Sequence, residues 1–149
     1  MSLEKRLRIE EGERNFVYDD ATGKPIVPGS VVIGHPTIGI GRCLDERGIS
    51  KEEKEAFFQR DVSDSRAAAA AQPWAASLDP TRRDLIAEMI FEMGLDRLLR
   101  FEKMIAALQR KDFAAAAVEM RDSRWAGQVG QRAINLAAIM ESGVDPDAD

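Results

Sequence analysis

The sequence predicts a mostly helical α+β protein: a small sheet-containing N-terminal lobe, a larger helical C-terminal lobe, and a long helix joining them. Residues 16 to 42 crowd Gly23, Gly29, Gly34, Gly39, Gly41 and three of the chain's six prolines among β-branched residues, the punctuation of strands and turns. Outside that stretch the apolar residues recur at helical spacing. A chain of 149 residues with 44% apolar content can bury a core, and 32% charged residues of mixed sign describe a folded surface.

Each element has a local cause. A first helix is predicted over about Leu3 to Glu11, stopped by Gly12 in the C-cap position. The sheet lobe follows over about residues 12–49. Within it, Thr37-Ile38-Gly39-Ile40-Gly41-Arg42 reads as a strand whose alternate glycines bare one face, a pattern that often marks close approach by a ligand or another backbone. Ser50 and Glu53 form a capping box that opens the connecting helix, about residues 50–72, running through Phe57, Phe58, Val62 and an alanine run. Gln72-Pro73 ends it.

Asp79 followed by Pro80 is an N-cap with proline at the first helical position, and the helix it opens carries Leu85, Ile86, Met89, Ile90 and Met93 on one stripe up to Gly94. Further core stripes are Phe101, Met104, Ile105 and Leu108, then Phe113, Ala117 and Val118, then Ile134, Ala137, Ala138 and Met140. Trp125 is expected in the core. The helical lobe covers about residues 73–143, with residues 1–11 assigned to it, and 144–149 is an acidic tail. Neither repeat nor linker interrupts the chain, so residues 1–149 are expected to form one domain. A cleft between lobes is the default place for a ligand.

Composition narrows the partners. The net charge is −5, of which Glu141, Asp145, Asp147 and Asp149 account for −4, and there is no basic block, so nucleic acid is not expected. No apolar run is long enough for membrane insertion. The N-terminus, MSLEKRLRIEEGER, lacks an apolar h-region, so no signal peptide is expected. The single cysteine, Cys43, allows no internal disulfide and reads as a small apolar residue. No His/Cys/Asp cluster shows metal-ligand spacing along the chain, so neither a metal nor a cofactor is expected, and His35, the single histidine, reads as a plain loop residue.

Three places carry chemistry. Glu11, beside Glu10, sits on the last turn of the first helix, where the helix dipole opposes carboxylates and folding alone would not favour a pair of them. Asp20 follows at the end of a predicted strand, in FVYDDATG, where an aspartate is also an ordinary turn former. Thr37 opens the glycine-alternating strand.

Together the segments L-R-I-E-E-G, Y-x-D and T-I-G-I-G resemble the phage-type lysozymes, glycoside hydrolase family 24, and within them those of the T-even phages. The likeness runs from about Leu3 to Gly143, through S-L-D-x-x-R-R at Ser77 to Arg83, M-x-F-x-M-G at Met89 to Gly94, S-R-W at Ser123 to Trp125, Gln128, and R-A at Arg132 and Ala133. The resemblance implies a lysozyme-like fold and hydrolysis of the β-1,4 bond between N-acetylmuramic acid and N-acetylglucosamine in peptidoglycan glycan strands. It assigns Glu11 as general acid, Asp20 as base for the attacking water and Thr37 as the residue that positions that water. Arg132 matches the arginine that pairs with the acid glutamate. Arg42, Glu92, Ser123, Gln128 and Gln131 are supporting or groove-lining candidates.

Inversion of the anomeric carbon is the expected outcome. Rival readings are a lytic transglycosylase, an inactive glycan-binding relative, and a structural component of a virion. The biology implied is a monomeric endolysin held in the cytoplasm of an infected bacterium and released to the wall by a separate holin.

Two departures stand out. The stretch Ala21 to Pro36 separates Asp20 from Thr37, where the shortest-sheet members connect them more directly. The extra segment, about residues 24–36, is expected to be a hairpin extension outside the catalytic core, removable at about 1 kcal/mol or less because closure entropy varies slowly with loop length. Many members also carry histidine where this chain has Arg42.

Overall fold

The computed structural model describes residues 1–148, and the chain divides into two compact units, Met1–Glu55 and Ala56–Asp149. Residues 1–11 fall within the first of them.

In the first unit, α1 (Leu3–Glu11) begins on Ser2, whose side chain accepts from the Lys5 N–H at 3.2 Å. It ends on Gly12, which takes φ +73° and donates its N–H to the Arg8 carbonyl. Three strands, β1 (Arg14–Asp19), β2 (Pro36–Gly39) and β3 (Arg42–Cys43), form an antiparallel sheet in that order. Tyr18 pairs with Thr37 and Asp19 with Pro36, while Thr37 pairs on its other side with Cys43. A helical turn, α2 (Leu44–Arg47), follows.

Two sequence expectations need correction here. Thr37 to Arg42 is not one strand but a hairpin, because Gly39 and Gly41 adopt φ of +69° and +64° and reverse the chain at Ile40. These glycines turn the backbone, a conformation costly for any residue with a Cβ. Nor is the segment 24–36 a hairpin extension. Beyond an isolated bridge between Tyr18 and Pro25, residues 26–35 make no strand pairing, and the β-branched run Val31 to Ile33 is irregular. Ile26 N–H donates to the Val17 carbonyl of β1, but the Ile33 and Gly34 N–H groups go to the Asp19 side chain and that of His35 to Asp20.

The capping box is present as expected. In α3 (Lys51–Ala70), Glu53 N–H donates to Ser50 Oγ at 3.1 Å and Ser50 N–H to Glu53 Oε2 at 2.7 Å. The division between the two units falls inside this helix. Phe57 and Phe58 are exposed rather than core, and α3 buries only Ser65 and Ala69.

The second unit continues with α4 (Pro73–Ala76), α5 (Pro80–Met93), α6 (Leu95–Leu98), α7 (Glu102–Gln109), α8 (Phe113–Arg121), α9 (Arg124–Val129) and α10 (Gln131–Ser142). Asp79 caps α5 by accepting from the Arg82 N–H at 3.0 Å, with Pro80 in the first turn. Ile86, Met89, Leu98, Met104, Leu108, Met120 and Met140 are the largest fully buried side chains, each worth roughly 1.5–3 kcal/mol relative to exposure. Val118, Ile134 and Ala138 depart from their predicted stripes. All three lie on the solvent side, and α10 buries Ala133 and Leu136 beside the expected Ala137 and Met140.

Arg82 is buried and fully engaged. Its guanidinium pairs with Asp79 at 2.8 Å, donates to the carbonyls of Met140 at 2.6 Å and Glu141 at 2.9 Å, and stacks over the Phe113 ring. It thereby satisfies carbonyls that the end of α10 leaves open, in the orientation the helix dipole favours. Ten helices and a small antiparallel sheet among the described residues give the mostly helical α+β class predicted from sequence. No helix among the described residues is long and apolar enough to cross a membrane.

Candidate active site

Glu11 ends α1 with an exposed side chain that lies against the backbone of Gly41. A Cβ added at Gly41 would stand 2.5 Å from Glu11 Oε2 and 3.0 Å from its Cγ. The glycine thus serves the β2–β3 turn through its φ and the carboxylate through its bareness. Gly41→Ala should cost about 1 kcal/mol of stability for the left-handed backbone. Its larger effect should be on kcat, falling about 10²-fold as the carboxylate is pushed aside. Thermal melts with steady-state lysis assays check this; unchanged kcat in a folded variant would count against Glu11 acting from this seat.

The adjacent aspartates have opposite environments. Asp20 is exposed, while Asp19 is 4% exposed. Asp19 Oδ2 accepts from the Ile33 N–H at 2.8 Å, and Oδ1 from Gly34 at 2.9 Å and Ala21 at 3.0 Å. These main-chain donors, that of Ile33 foremost, hold its carboxyl below the usual carboxylate range. The returning segment therefore packs onto Asp19, which sequence reasoning passed over as a turn former. No sequence pattern marks it: strand alternation puts Asp19 on the face opposite Tyr18, and its burial comes from the segment that folds back over it.

The backbone of His35 is the hub of the site. Its N–H donates to Asp20 Oδ1 at 2.7 Å, and its carbonyl accepts from the Asp20 N–H at 3.1 Å and from Thr37 Oγ1 at 3.1 Å. Thr37 is buried on β2. Gly34 leaves the space this requires, since a Cβ there would lie 2.1 Å from Asp20 Oδ1 and 2.8 Å from the Ala21 nitrogen. The segment expected to lie outside the catalytic core therefore ties Asp20 and Thr37 to a common main-chain group.

The ring of His35 is not a bystander either. Nδ1 lies 2.9 Å from Asp45 Oδ2, and Cys43 Sγ donates to Asp45 Oδ1 at 2.9 Å. The expectation of no metal-ligand cluster is thereby corrected at the level of geometry: the fold gathers His35, Cys43 and Asp45, whose donor atoms lie within 4.8 Å of one another. Cys43 is a half-buried hydrogen-bond donor, not simply an apolar filler. Arg42 spans from β3 to the start of α3, donating to the Gly48 carbonyl at 2.8 Å and pairing with Glu53 at 3.0 Å.

The remaining candidates lie in the second unit. Arg132 donates to Glu88 Oε1 from Nη2 at 2.7 Å and from Nε at 3.1 Å, and its Nε also meets Glu92 Oε1 as an ion pair without hydrogen-bond alignment. Those carboxylates, Glu88 above all, hold its pKa above the ordinary arginine value. Glu92 Oε2 accepts from the buried Trp125 Nε1 at 3.0 Å, so Trp125 is a core residue as expected. Ser123 caps α9, accepting from the Ala126 N–H, and with Gln128 lines a concavity of about 720 Å³ that also includes Phe101 and Trp125. Gln131 bonds its neighbour Asn135 at 2.9 Å.

The first unit thus holds a helix-end glutamate seated on a glycine turn, with an aspartate and a threonine joined to one main-chain group beside its sheet. The phage lysozyme family matches residues 9–138 of the chain. "Probable T4-type lysozyme 1" and "Probable T4-type lysozyme 2" of Dictyostelium discoideum are each 26% identical to it, over 95% of this chain and 95% of their own length. The "Pre-baseplate central spike protein Gp5" of Enterobacteria phage T4 is 27% identical over 96% of this chain, which spans 28% of that longer protein. The chain belongs to the phage lysozyme family, and at family level it is a glycosidase-type enzyme.

Proposed function

We propose that the protein hydrolyses the β-1,4 bond between N-acetylmuramic acid and N-acetylglucosamine in peptidoglycan, with Glu11 as general acid. The observation that carries this is the convergence at one small sheet: Gly41 seats Glu11, and one residue's backbone holds both Asp20 and Thr37. In the reaction, the Glu11 carboxyl gives its proton to the glycosidic oxygen as the bond to the anomeric carbon breaks. Water attacks that carbon, and Asp20 takes the proton that the water gives up. Thr37 Oγ1 uses its one proton on the His35 carbonyl, so its lone pairs are free to accept from the water and orient it. Glu11 ends ionised and Asp20 protonated, and exchange with solvent resets both. Lysis of a phage host, after release to the wall by a holin, is the setting that fits this activity.

Mass spectrometry of peptidoglycan digests tests the chemistry. Hydrated muropeptides are expected, with NMR of the first product showing an inverted anomeric centre. Anhydro-muropeptides would assign a transglycosylase, and the absence of products a glycan-binding relative. The likeness to part of a phage spike protein favours one second reading, a wall-cutting module carried on a virion. Immunoblotting of purified particles would detect it there, and its absence from them would leave free lysis as the setting.

A further inference from the structure

The donors of His35, Cys43 and Asp45 come from three separate pieces of the first unit: the segment before β2, β3 and α2. The Asp45 carboxylate sits between the other two, one oxygen 2.9 Å from His35 Nδ1 and the other 2.9 Å from Cys43 Sγ. Ligand atoms around a tetrahedral zinc-sized ion stand about 3.3–3.7 Å apart, given bonds of about 2.0–2.3 Å. To reach that spacing the two 2.9 Å contacts to Asp45 must open by a few tenths of an ångström, while no pair of the donor atoms stands more than 4.8 Å apart. On its far side, His35 Nε2 faces Glu46 Oε1 at 3.8 Å, the outer carboxylate that commonly orients a ligating imidazole. All of these groups are half-buried or exposed, so an ion has access.

We propose that His35 Nδ1, Cys43 Sγ and Asp45 bind a zinc-class divalent cation, with Glu46 orienting the imidazole and water completing the coordination. A nitrogen, sulfur and oxygen donor set selects borderline metals over magnesium or calcium, which take oxygen. A nucleophilic cysteine does not fit the same cluster. The Cys43 thiol points its proton at Asp45 Oδ1 and, among the described residues, is not paired with a general base such as an imidazole nitrogen. Metal binding replaces that proton: the Cys43 thiol becomes a metal-bound thiolate and one proton leaves to solvent. Cation and proton compete for the same sulfur and nitrogen atoms, so affinity falls as pH falls. The ion would clamp His35, whose backbone holds Asp20 and Thr37. That last link rests on the functional reading above; the binding itself does not.

The test uses the full-length protein with zinc or cobalt alone, and works equally on Glu11→Gln protein, so its failure is separable from failure of the enzymatic reading. One equivalent of zinc should bind. Cobalt should give a thiolate charge-transfer band in the near ultraviolet. Zinc at about a hundredfold excess over its Kd should raise Tm by about 5–10 °C. Cys43→Ser should lose the band, Cys43→Ser and Asp45→Asn should each weaken zinc binding more than 10²-fold, and Glu46→Gln by about tenfold. Circular dichroism checks that each variant is folded. Absence of the band and of bound zinc in the wild type, or undiminished zinc affinity in either Cys43→Ser or Asp45→Asn, would overturn the assignment.

Discussion

Glu11→Gln is expected to reduce lytic activity to below a few per cent of wild type while melting at or above the wild-type temperature. The amide keeps the shape that packs on Gly41 but has no acidic proton for the leaving oxygen. General acid catalysis is worth about 10²–10⁴-fold. Stability should not suffer, because Glu11 is exposed, its side chain shows no hydrogen bond among the described residues, and a carboxylate at the C-terminal end of α1 opposes the helix dipole. Lysis assays and thermal melts on the same preparation decide it. Substantial activity in the amide variant would remove Glu11 from the mechanism, and a large fall in Tm would make it a structural residue.

The second large effect is expected one residue away from the proposed base. Asp19→Ala removes the acceptor for the Ile33, Gly34 and Ala21 N–H groups together, leaving the segment that carries His35 without its anchor. Because His35 in turn holds Asp20 and Thr37, kcat should fall about 10²-fold, the cost of a misplaced catalytic group. Asp19 is a positioning residue, so KM should move less than kcat. Asp19→Asn, which keeps one acceptor oxygen, should recover part of the loss.

Its pH signature distinguishes it further. The folded carboxyl has a lowered pKa, so its contribution is complete above the unfolded value of about 3.9 and is lost as pH falls through the folded value. The Tm gap between wild type and Asp19→Asn should therefore be constant near neutrality and shrink below about pH 4. A gap that stays constant down to pH 2 would show that the ionised carboxylate is not what anchors the segment.

What could be read from sequence was local. The Ser50–Glu53 box, the Asp79–Pro80 start, and glycine stops at Gly12 and Gly94 each depend on residues within one helical turn, and the structure bears them out. Helical stripes located the core, erring at Val118, Ile134 and Ala138, where the apolar face is wider than what the neighbouring helices cover. The errors in the sheet share one cause. A β-branched run such as Val31 to Ile33 predicts a strand only if its backbone seeks a ladder partner, and here a side chain fourteen residues earlier supplies the acceptor instead. The His35, Cys43 and Asp45 cluster was invisible for the same reason: it depends on the Thr37–Cys43 register, which no local pattern encodes. Arg132 was legible as a cation, but not its two partners on α5.

The anchoring of the segment 20–36 has a consequence for how the protein can change. Its attachment points are main-chain groups of Ile33, Gly34 and His35, and these are present whatever side chains surround them. Val27, Val31 and Ile33 meanwhile point largely into solvent, at 58%, 86% and 75% exposure. Mutational drift at those three positions is therefore decoupled from the placement of Asp20 and Thr37, much as the tips of antibody loops vary on a constant frame. A library randomised there and screened on walls of different cross-linking would vary which substrates gain access without retuning the reaction itself.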